Sequence, residues 1–498
     1  MSIKIGSRKS HLAQVQARAF NKIYKEKFPE EETELFFKPS FGDLNLDMDL
    51  SKTDNKGVFT SDFFELLKTK DCDLVVHSWK DLPIDENGIT QITATLERED
   101  TRDLFFLKRE ARSKSDWSVL TSSPRREFNL SEFFTYLSDG EQKLSYLPIR
   151  GNIPTRFTKF LEDENADGFC VAAAAVKRLI RDKTFNEDNP GVWERISKDC
   201  HWAVLPASYC PSAAAQGALA VETLVSNDKL NAKLARLNNE AVMDSVNKER
   251  AILKNYGGGC HLAVGANVIK NKFGELTLKA GFIKGDKFRD LDFKPFKSYP
   301  ERIEKSKIWI STEEARAVRT KRDYELSDEG VKSLMVTRFE SYNQNVVSDL
   351  DLVHSAGLRT WKKLYKNGQW VNSCLDSLGA DLYVGDLLEQ GVKDYWLTRD
   401  DVKGPKGFET VETYDLEVEL DEDSFEGKDY FLWMSGELMV KSIEFNKDLR
   451  SKKHFIGMGR SSEMVESFMK ENADLLEEGF EVFWVHSLEQ FKKDLIKE

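Results

Sequence analysis

The chain has 498 residues, 40% hydrophobic and 32% charged, with a mean hydropathy of −0.50, which points to a soluble globular protein of about three or four domains. Its net charge of −12, from 73 Lys and Arg against 85 Asp and Glu, disfavours nucleic acid as a general partner, and no apolar run approaches the ~20 residues of a membrane span. Six cysteines without CxxC spacing argue against a zinc site and a disulfide framework, and the opening "MSIKIGSRKSHLAQVQ" has no hydrophobic signal core, so a reducing cytoplasm is expected.

Over the first 215 residues, short β-type runs alternate with helical patterns. "SIKIGS" reads as a strand, "HLAQVQARAFNKIYKEKF" as an amphipathic helix, "VFTSDFFELLKT" as a second helix and "CDLVVHS" as a buried strand. "SVLTSS", "LSYLPIR" and "GFCVAAAAVKRLI" continue the alternation, which implies a mostly parallel α/β sheet with ligands at the carboxyl ends of strands. From about 236 to 300 one helix, "SVNKERAILKNY", precedes the strands "LAVGANVIK" and "GELTLKAGFIK", and "FKPFKSYPERIEKSK" reads as a linker. Beyond 305, strand–turn–helix units return in "KIWIST", "DYWLTRD", "DYFLWMSGELMVKSIEF", "KHFIGMGRSSEMVESFMKE" and "EVFWVHSLEQFKKDL".

Several turns carry candidate chemistry. In "TSSPRRE", Ser123 suits an N-cap and Pro124 the first helical position, so Arg125 and Arg126 fall on a first turn where the helix dipole opposes cations unless an anion joins them. Arg150 in "PIRGN" and Arg156 in "PTRFTKF" lie at the same kind of edge, with Arg8 in "IGSRKS" and Arg178 in "AVKRL" as further members; such a set suits bidentate binding of carboxylates or phosphates, or is simply solvated. In "DLVVHSWKDLP" the strand runs out into His77, Ser78, Lys80 and Asp81. Asp81 is the one carboxylate of that turn and could stabilise a developing positive charge or cap the next turn. Lys52 and Lys56 lie in a polar loop without P-loop order, and "GMGRSS" lacks the third glycine of a dinucleotide fingerprint. In "ERAILKNYGGGCHLAVGA", three glycines precede Cys260, so a loop presents the thiol; a plain surface turn and a thiol nucleophile beside His261 are the alternatives.

Taken in order, "IGSRKSHLAQVQA", "NKGVFTSDFFELL", "LVVHSWKDLP", "TSSPRR", "PIRGNIPTR", "AAAAVKRL", "AAAQGALAVE" and "ERAILKNYGGGCHLAVGA" resemble the porphobilinogen deaminase (hydroxymethylbilane synthase) family over roughly residues 3–290. The resemblance implies two periplasmic-binding-protein-like α/β domains, at 1–98 with 218–236 and at 99–217, and a small α+β cofactor domain at 237–300. It implies a dipyrromethane cofactor, built from the enzyme's own substrate and held by Cys260 through a thioether. Four porphobilinogen molecules would join head to tail with loss of ammonia to give the linear tetrapyrrole 1-hydroxymethylbilane. Asp81 would stabilise azafulvene-like cations. Arg125, Arg126, Lys80, Ser123, Asp43 and Ser10 would hold the cofactor; Arg8, Arg150, Arg156, Arg178 and Gln216 would bind substrate; Lys52 and Lys56 would lie on a mobile loop. No metal, nucleic acid or membrane partner is implied, and a monomer is expected. Residues 305–498 resemble uroporphyrinogen-III synthase, a two-lobed α/β module that cyclises hydroxymethylbilane, and no catalytic residue is assigned there. Alternatives are an inactive module, or a non-enzymatic anion-binding protein across the whole chain.

Overall fold

The computed structural model describes residues 2–40, 61–85, 87–258, 262–326, 330–376, 383–384, 387–388, 391–399 and 402–497. Contacts divide the chain into two units. The first comprises Met1–Val268, Leu278–Asp290 and Leu387–Glu389; the second comprises Ile269–Thr277, Leu291–Asp386 and Gln390–Glu498.

In chain order the first unit contains β1 (Ile3–Arg8), α1 (His11–Lys27), β2 (Thr33–Lys38), α2 (Ser61–Lys68), β3 (Leu74–Ser78), β4 (Thr90–Ala94), β5 (Asp103–Lys108) and β6 (Asp116–Leu120). It continues with α3 (Pro124–Ser138), β7 (Lys143–Leu147), α4 (Ile153–Glu162), β8 (Gly168–Ala172), α5 (Ala173–Arg181), β9 (Cys200–Val204), β10 (Leu219–Leu224) and α6 (Glu240–Asn255). The spacing of Ala17, Phe20 and Tyr24 puts them on one face of α1, where they pack with Ile5, Leu74 and Val76. Burial of each large side chain contributes about 1.5–3 kcal/mol. The helix ends as Pro29 approaches, because the residue before proline avoids helical backbone.

Two five-stranded sheets result, in the orders β2-β1-β3-β10-β4 and β7-β6-β8-β5-β9. They are mixed, which corrects the expectation of mostly parallel sheets. In the first, β1 is parallel to β2 and β3, but β10 is antiparallel to both β3 and β4. In the second, β6 is parallel to β7 and β8, whereas β5 is antiparallel to β8 and β9. Parallel neighbours need a crossover, usually a helix. β5 is the strand on which the chain enters the second sheet and β10 the strand on which it returns to the first, through segments 95–102 and 205–218, and no such crossover fixes their direction.

Those two segments run side by side. Arg98 Nε donates to the Gln216 carbonyl at 2.9 Å, the Glu99 amide to the Gly217 carbonyl at 3.4 Å and Gln216 Nε2 to the Thr101 carbonyl at 2.8 Å. Gly217 has φ +86°, and a Cβ there would stand 2.4 Å from the Glu99 oxygen, so only glycine fits. A three-stranded sheet of β11 (Ala263–Lys270), β12 (Gly274–Ile283) and β13 (Asp286–Pro295) follows.

The second unit contains β14 (Ile303–Glu304), β15 (Ile308–Ile310), β16 (Ala315–Lys321), β17 (Lys332–Val336), β18 (Leu352–Ser355), β19 (Ser373–Cys374), β20 (Lys393–Arg399) and β21 (Glu409–Leu420). Then come β22 (Tyr430–Trp433), α7 (Gly436–Phe445), β23 (Lys453–Gly457), α8 (Arg460–Glu471), β24 (Glu481–Val485) and α9 (Leu488–Leu495). Its sheets are β15-β22-β23-β24 and β16-β21-β20-β17-β18-β19. The chain leaves the first for the second on β16 and returns on β21, and these two strands pair antiparallel while the other pairings are parallel. The expected linker at 293–307 is structured instead: Phe293–Pro295 closes β13, Tyr299 donates to the Trp484 carbonyl at 2.7 Å and β14 pairs with Ile496–Lys497. Two of its apolar residues, Phe293 and Ile303, are buried in the core. Among the described residues no helix is long and apolar enough to cross a membrane.

Candidate active site

The carboxyl ends of β1 and β3 open on a cleft lined by Arg8, Ser10, Gln16, His77, Ser78 and Asp81, among others. Ser10 is the N-cap of α1 and its hydroxyl makes no cap hydrogen bond. Gln16 was not singled out from sequence. It is buried and its side-chain amide pairs with the Ser78 hydroxyl at 2.8 Å, fixing the end of β3 against α1. A polar residue on the otherwise apolar face of that helix is the signal that could have found it. His77 is buried beside Glu222, Nε2 to Oε2 at 2.9 Å, and belongs to the sheet interior. Asp81 closes the short 3-10 turn Trp79–Asp81 and is exposed; among the described residues its carboxylate has no hydrogen-bond or ion-pair partner.

Facing this edge is the first turn of α3. Ser123 is its N-cap without a side-chain cap bond, and Pro124 holds the first position. The anion that Arg125 and Arg126 require is supplied from within the protein. Asp103, opening β5, takes Arg125 Nη1 at 2.6 Å through Oδ2, and Arg126 Nε and Nη2 at 3.1 and 2.9 Å through Oδ1. Burial alone would raise the Asp103 pKa, but the two guanidinium charges and the bonds from Arg125 and Gln216 outweigh it and hold the carboxyl well below its ordinary range. Both arginines are buried, which corrects the picture of a solvated pair. Among the described residues Arg125 uses only Nη1, which leaves Nε and Nη2 as donors.

Lys80 joins the two edges. Its Nζ donates to Gln216 Oε1 at 3.3 Å, and burial lowers its pKa, assisted by Arg126 and Arg125 and opposed by Asp81 and Asp103. Arg156 is pushed down to about 10 by burial, with Arg126 and Arg150 adding and Asp81 opposing. Its one hydrogen bond among the described residues runs from Nε to the Gly151 carbonyl at 2.8 Å, so Nη1 and Nη2 remain available. Lys80, Asp81, Arg125, Arg126, Arg150 and Arg156 therefore share one electrostatic neighbourhood.

Two further residues expected to contact substrate are engaged within the protein. Gln216, expected to bind substrate, is 1% exposed, and its side chain bonds Lys80, Thr101 and Asp103, bracing the cationic edge. Arg178 sits with the paired segments, donating to the Gly217 carbonyl at 2.7 Å, and burial lowers it to about 10 against the pull of Glu99. Asp43, Lys52, Lys56 and Cys260 lie outside the described residues.

A further residue missed from sequence is Glu249, the first of the stretch that ends in the glycine–cysteine loop. Fully buried on α6, it receives both Arg98 Nη groups at 2.8 and 2.7 Å and the amides of Ala215 and Val268 at 2.8 and 2.9 Å. The helix leading to Cys260 is thus fastened to both paired segments.

Comparison with known proteins gives the family. The family model described as "Porphobilinogen deaminase, dipyromethane cofactor binding domain" matches residues 3–232. The porphobilinogen deaminase of Chlorobium phaeobacteroides (strain BS1) is 33% identical over 314 residues, covering 62% of this chain and 93% of that protein. Those of Alkaliphilus metalliredigens and Desulfitobacterium hafniense are 35% and 36% identical, covering 53% of this chain and 77% and 79% of theirs. A domain that binds dipyrromethane, two mixed α/β sheets and a cationic cleft around one uncommitted carboxylate coincide in the same residues, and the chain belongs to the porphobilinogen deaminase family.

Proposed function

We propose that the first unit joins four porphobilinogen molecules head to tail with loss of ammonia, on a dipyrromethane primer carried by Cys260, and releases 1-hydroxymethylbilane. The observation that carries this reading is the uncommitted Asp81 carboxylate beside Lys80 and Arg156, at the cleft that Arg8 and Ser10 also line. The residues present suit a pyrrole bearing acetate and propionate groups. Arg156 and Arg125 retain unused N–H donors for carboxylates, and Asp81 offers an acceptor to pyrrole N–H.

When bound, dipyrromethane supplies the pyrrole carbon to which the next ring is joined. Asp81 faces the positive charge that spreads over a substrate ring as its ammonia departs, and a fixed carboxylate there lowers the barrier by electrostatic preorganisation. Arg8, Arg150, Arg156 and the first-turn arginines hold substrate carboxylates, Lys80 and Ser123 assist, and Arg178 takes part where the paired segments meet the cleft. On the family resemblance Ser10 and Asp43 are assigned to the primer; Asp43, Lys52 and Lys56 lie outside the described residues.

Asp81→Ala tests this role. Because Asp81 is exposed, the variant should fold normally and lose ammonia release from porphobilinogen by a factor of about a hundred or more. Near-normal turnover would remove Asp81 from the chemistry. Intact mass of the purified protein tests the primer, and a chain weighing only its polypeptide would refute it.

For the second unit we infer cyclisation of hydroxymethylbilane, supported by two α/β sheets joined through the β16 and β21 pair, a form that suits closing a flexible ligand between lobes. A coupled assay yielding uroporphyrinogen III supports it. Exclusive formation of the type I isomer would leave the second unit without that activity.

A further inference from the structure

His454 lies on β23 of the four-stranded sheet, paired with Phe431 of β22 and Val482 of β24, and is fully buried. Both of its ring nitrogens are bonded. The Trp433 indole Nε1 donates to Nδ1 at 2.9 Å, and Nε2 stands 2.9 Å from the Leu449 carbonyl, in the 3-10 turn Lys447–Ser451. Neither partner can exchange roles. An indole N–H only donates and a carbonyl only accepts, so the ring must accept at Nδ1 and donate at Nε2. That is the neutral imidazole, held in one tautomer.

The surroundings of the ring are apolar. Phe431, Trp433 and Phe480 set their own rings against it, with centroids 5.6, 6.1 and 5.1 Å away. The core that holds Trp433 and Leu449 is completed by Met439 and Ile443 of α7 and by Val465 and Phe468 of α8. The charged residues next to His454 are committed elsewhere: Lys452 pairs with Asp429, Lys453 with Glu481, and Arg450 donates to the Ile443 and Glu444 carbonyls. Burial accordingly lowers the imidazole to about 4, with only the Leu449 bond pulling the other way.

We propose that His454 is an acid-release device of the second unit: only the neutral ring can join Trp433 to Leu449, and a proton taken up from solvent at Nδ1 parts that bridge and opens β22 from β23. The new N–H would point at the indole N–H, donor against donor. The direction with pH follows from burial of the neutral form. The unfolded chain takes up the proton first, at its ordinary value near 6.5, so the ring's contribution is complete above that pH and is lost as pH falls from there to about 4. The device is independent of the reaction assigned to the second unit.

Hydrogen exchange in the full chain tests it, read by mass spectrometry on peptides from β22 and β23 at pH 7.5 and pH 5 and corrected for the intrinsic exchange rate. Between the two pH values the opening constant of wild type should rise about thirty-fold more than that of His454→Asn, whose side-chain oxygen can accept from Trp433 but takes up no proton. Burial also lowers His486, at the end of β24, to about 4, and any acid response it adds is common to both proteins. An equal rise in wild type and variant overturns the device. Should the variant not fold, selective 15N labelling of the seven histidines gives a measurement on wild type alone. It should show His454 as the Nε2–H tautomer at both pH values. A ring that titrates near pH 6.5 in the folded chain overturns the device.

Discussion

Asp103 governs whether two arginines can stand on the first turn of a helix. Placed there alone, Arg125 and Arg126 would meet both the helix dipole and each other; with Asp103 beneath them they are buried, oriented and still partly available. Asp103→Asn would leave two buried guanidiniums on a neutral amide, and a loss of about 3–5 kcal/mol in unfolding free energy at pH 7 is expected. The sign with pH follows from the depressed carboxyl. Its contribution is complete above the unfolded value near 4 and is lost as pH falls below it, because the unfolded chain takes up the proton first. Urea unfolding between pH 7 and pH 3 should therefore show wild type losing stability on the acid side, while Asp103→Asn starts lower and changes less. Equal stability of the two proteins at pH 7 would show that Asp103 is not the counter-ion. From sequence, "TSSPRR" disclosed the arginines and their first-turn position. Their partner was hidden 22 residues upstream, at the head of an apolar strand that reads simply as core.

At the level of elements, periodicity revealed strands and helices well, because burial imposes it locally. It could not reveal direction. β10 and β5 lie antiparallel to their neighbours through connections that no local pattern encodes, and "TRDLFF" and "ALAVETL" look like any buried strand. Glu249 shows the same limit: it opens a stretch whose glycines and cysteine drew attention, yet its partner Arg98 is 151 residues away. What the sequence did carry was the QG pair at 216–217. Gly217 permits the two connecting segments to lie against each other, and Gly217→Ala places a methyl on the Glu99 carbonyl in a backbone region that suits glycine. Backbone cannot yield there as a side chain could. We expect a loss of about 2 kcal/mol or more, seen as a lower urea midpoint, together with faster hydrogen exchange at the amides of Glu99 and Ala218. An unchanged midpoint would mean that the segments can separate freely.

At the scale of the whole chain, the second unit begins earlier than its resemblance suggests. A boundary at 305 follows from reading 293–307 as a linker, but the unit recruits residues from before that point. The Phe293 carbonyl accepts from Gln490 Nε2 at 2.8 Å, Lys297 pairs with Glu481 at 3.1 Å, Tyr299 donates to the Trp484 carbonyl and Arg302 to the Lys493 carbonyl at 3.2 Å. Each partner lies in β24 or α9, so this short segment closes the edge of the four-stranded sheet. A fragment of residues 305–498 leaves that edge bare and strands Gln490, which is otherwise buried. A fragment of residues 291–498 keeps it covered. The longer fragment should unfold at higher urea by about 2 kcal/mol or more, on the order of one large side chain buried, and should remain the more soluble. Indistinguishable unfolding curves would return the boundary to 305 and reduce residues 291–304 to a tether.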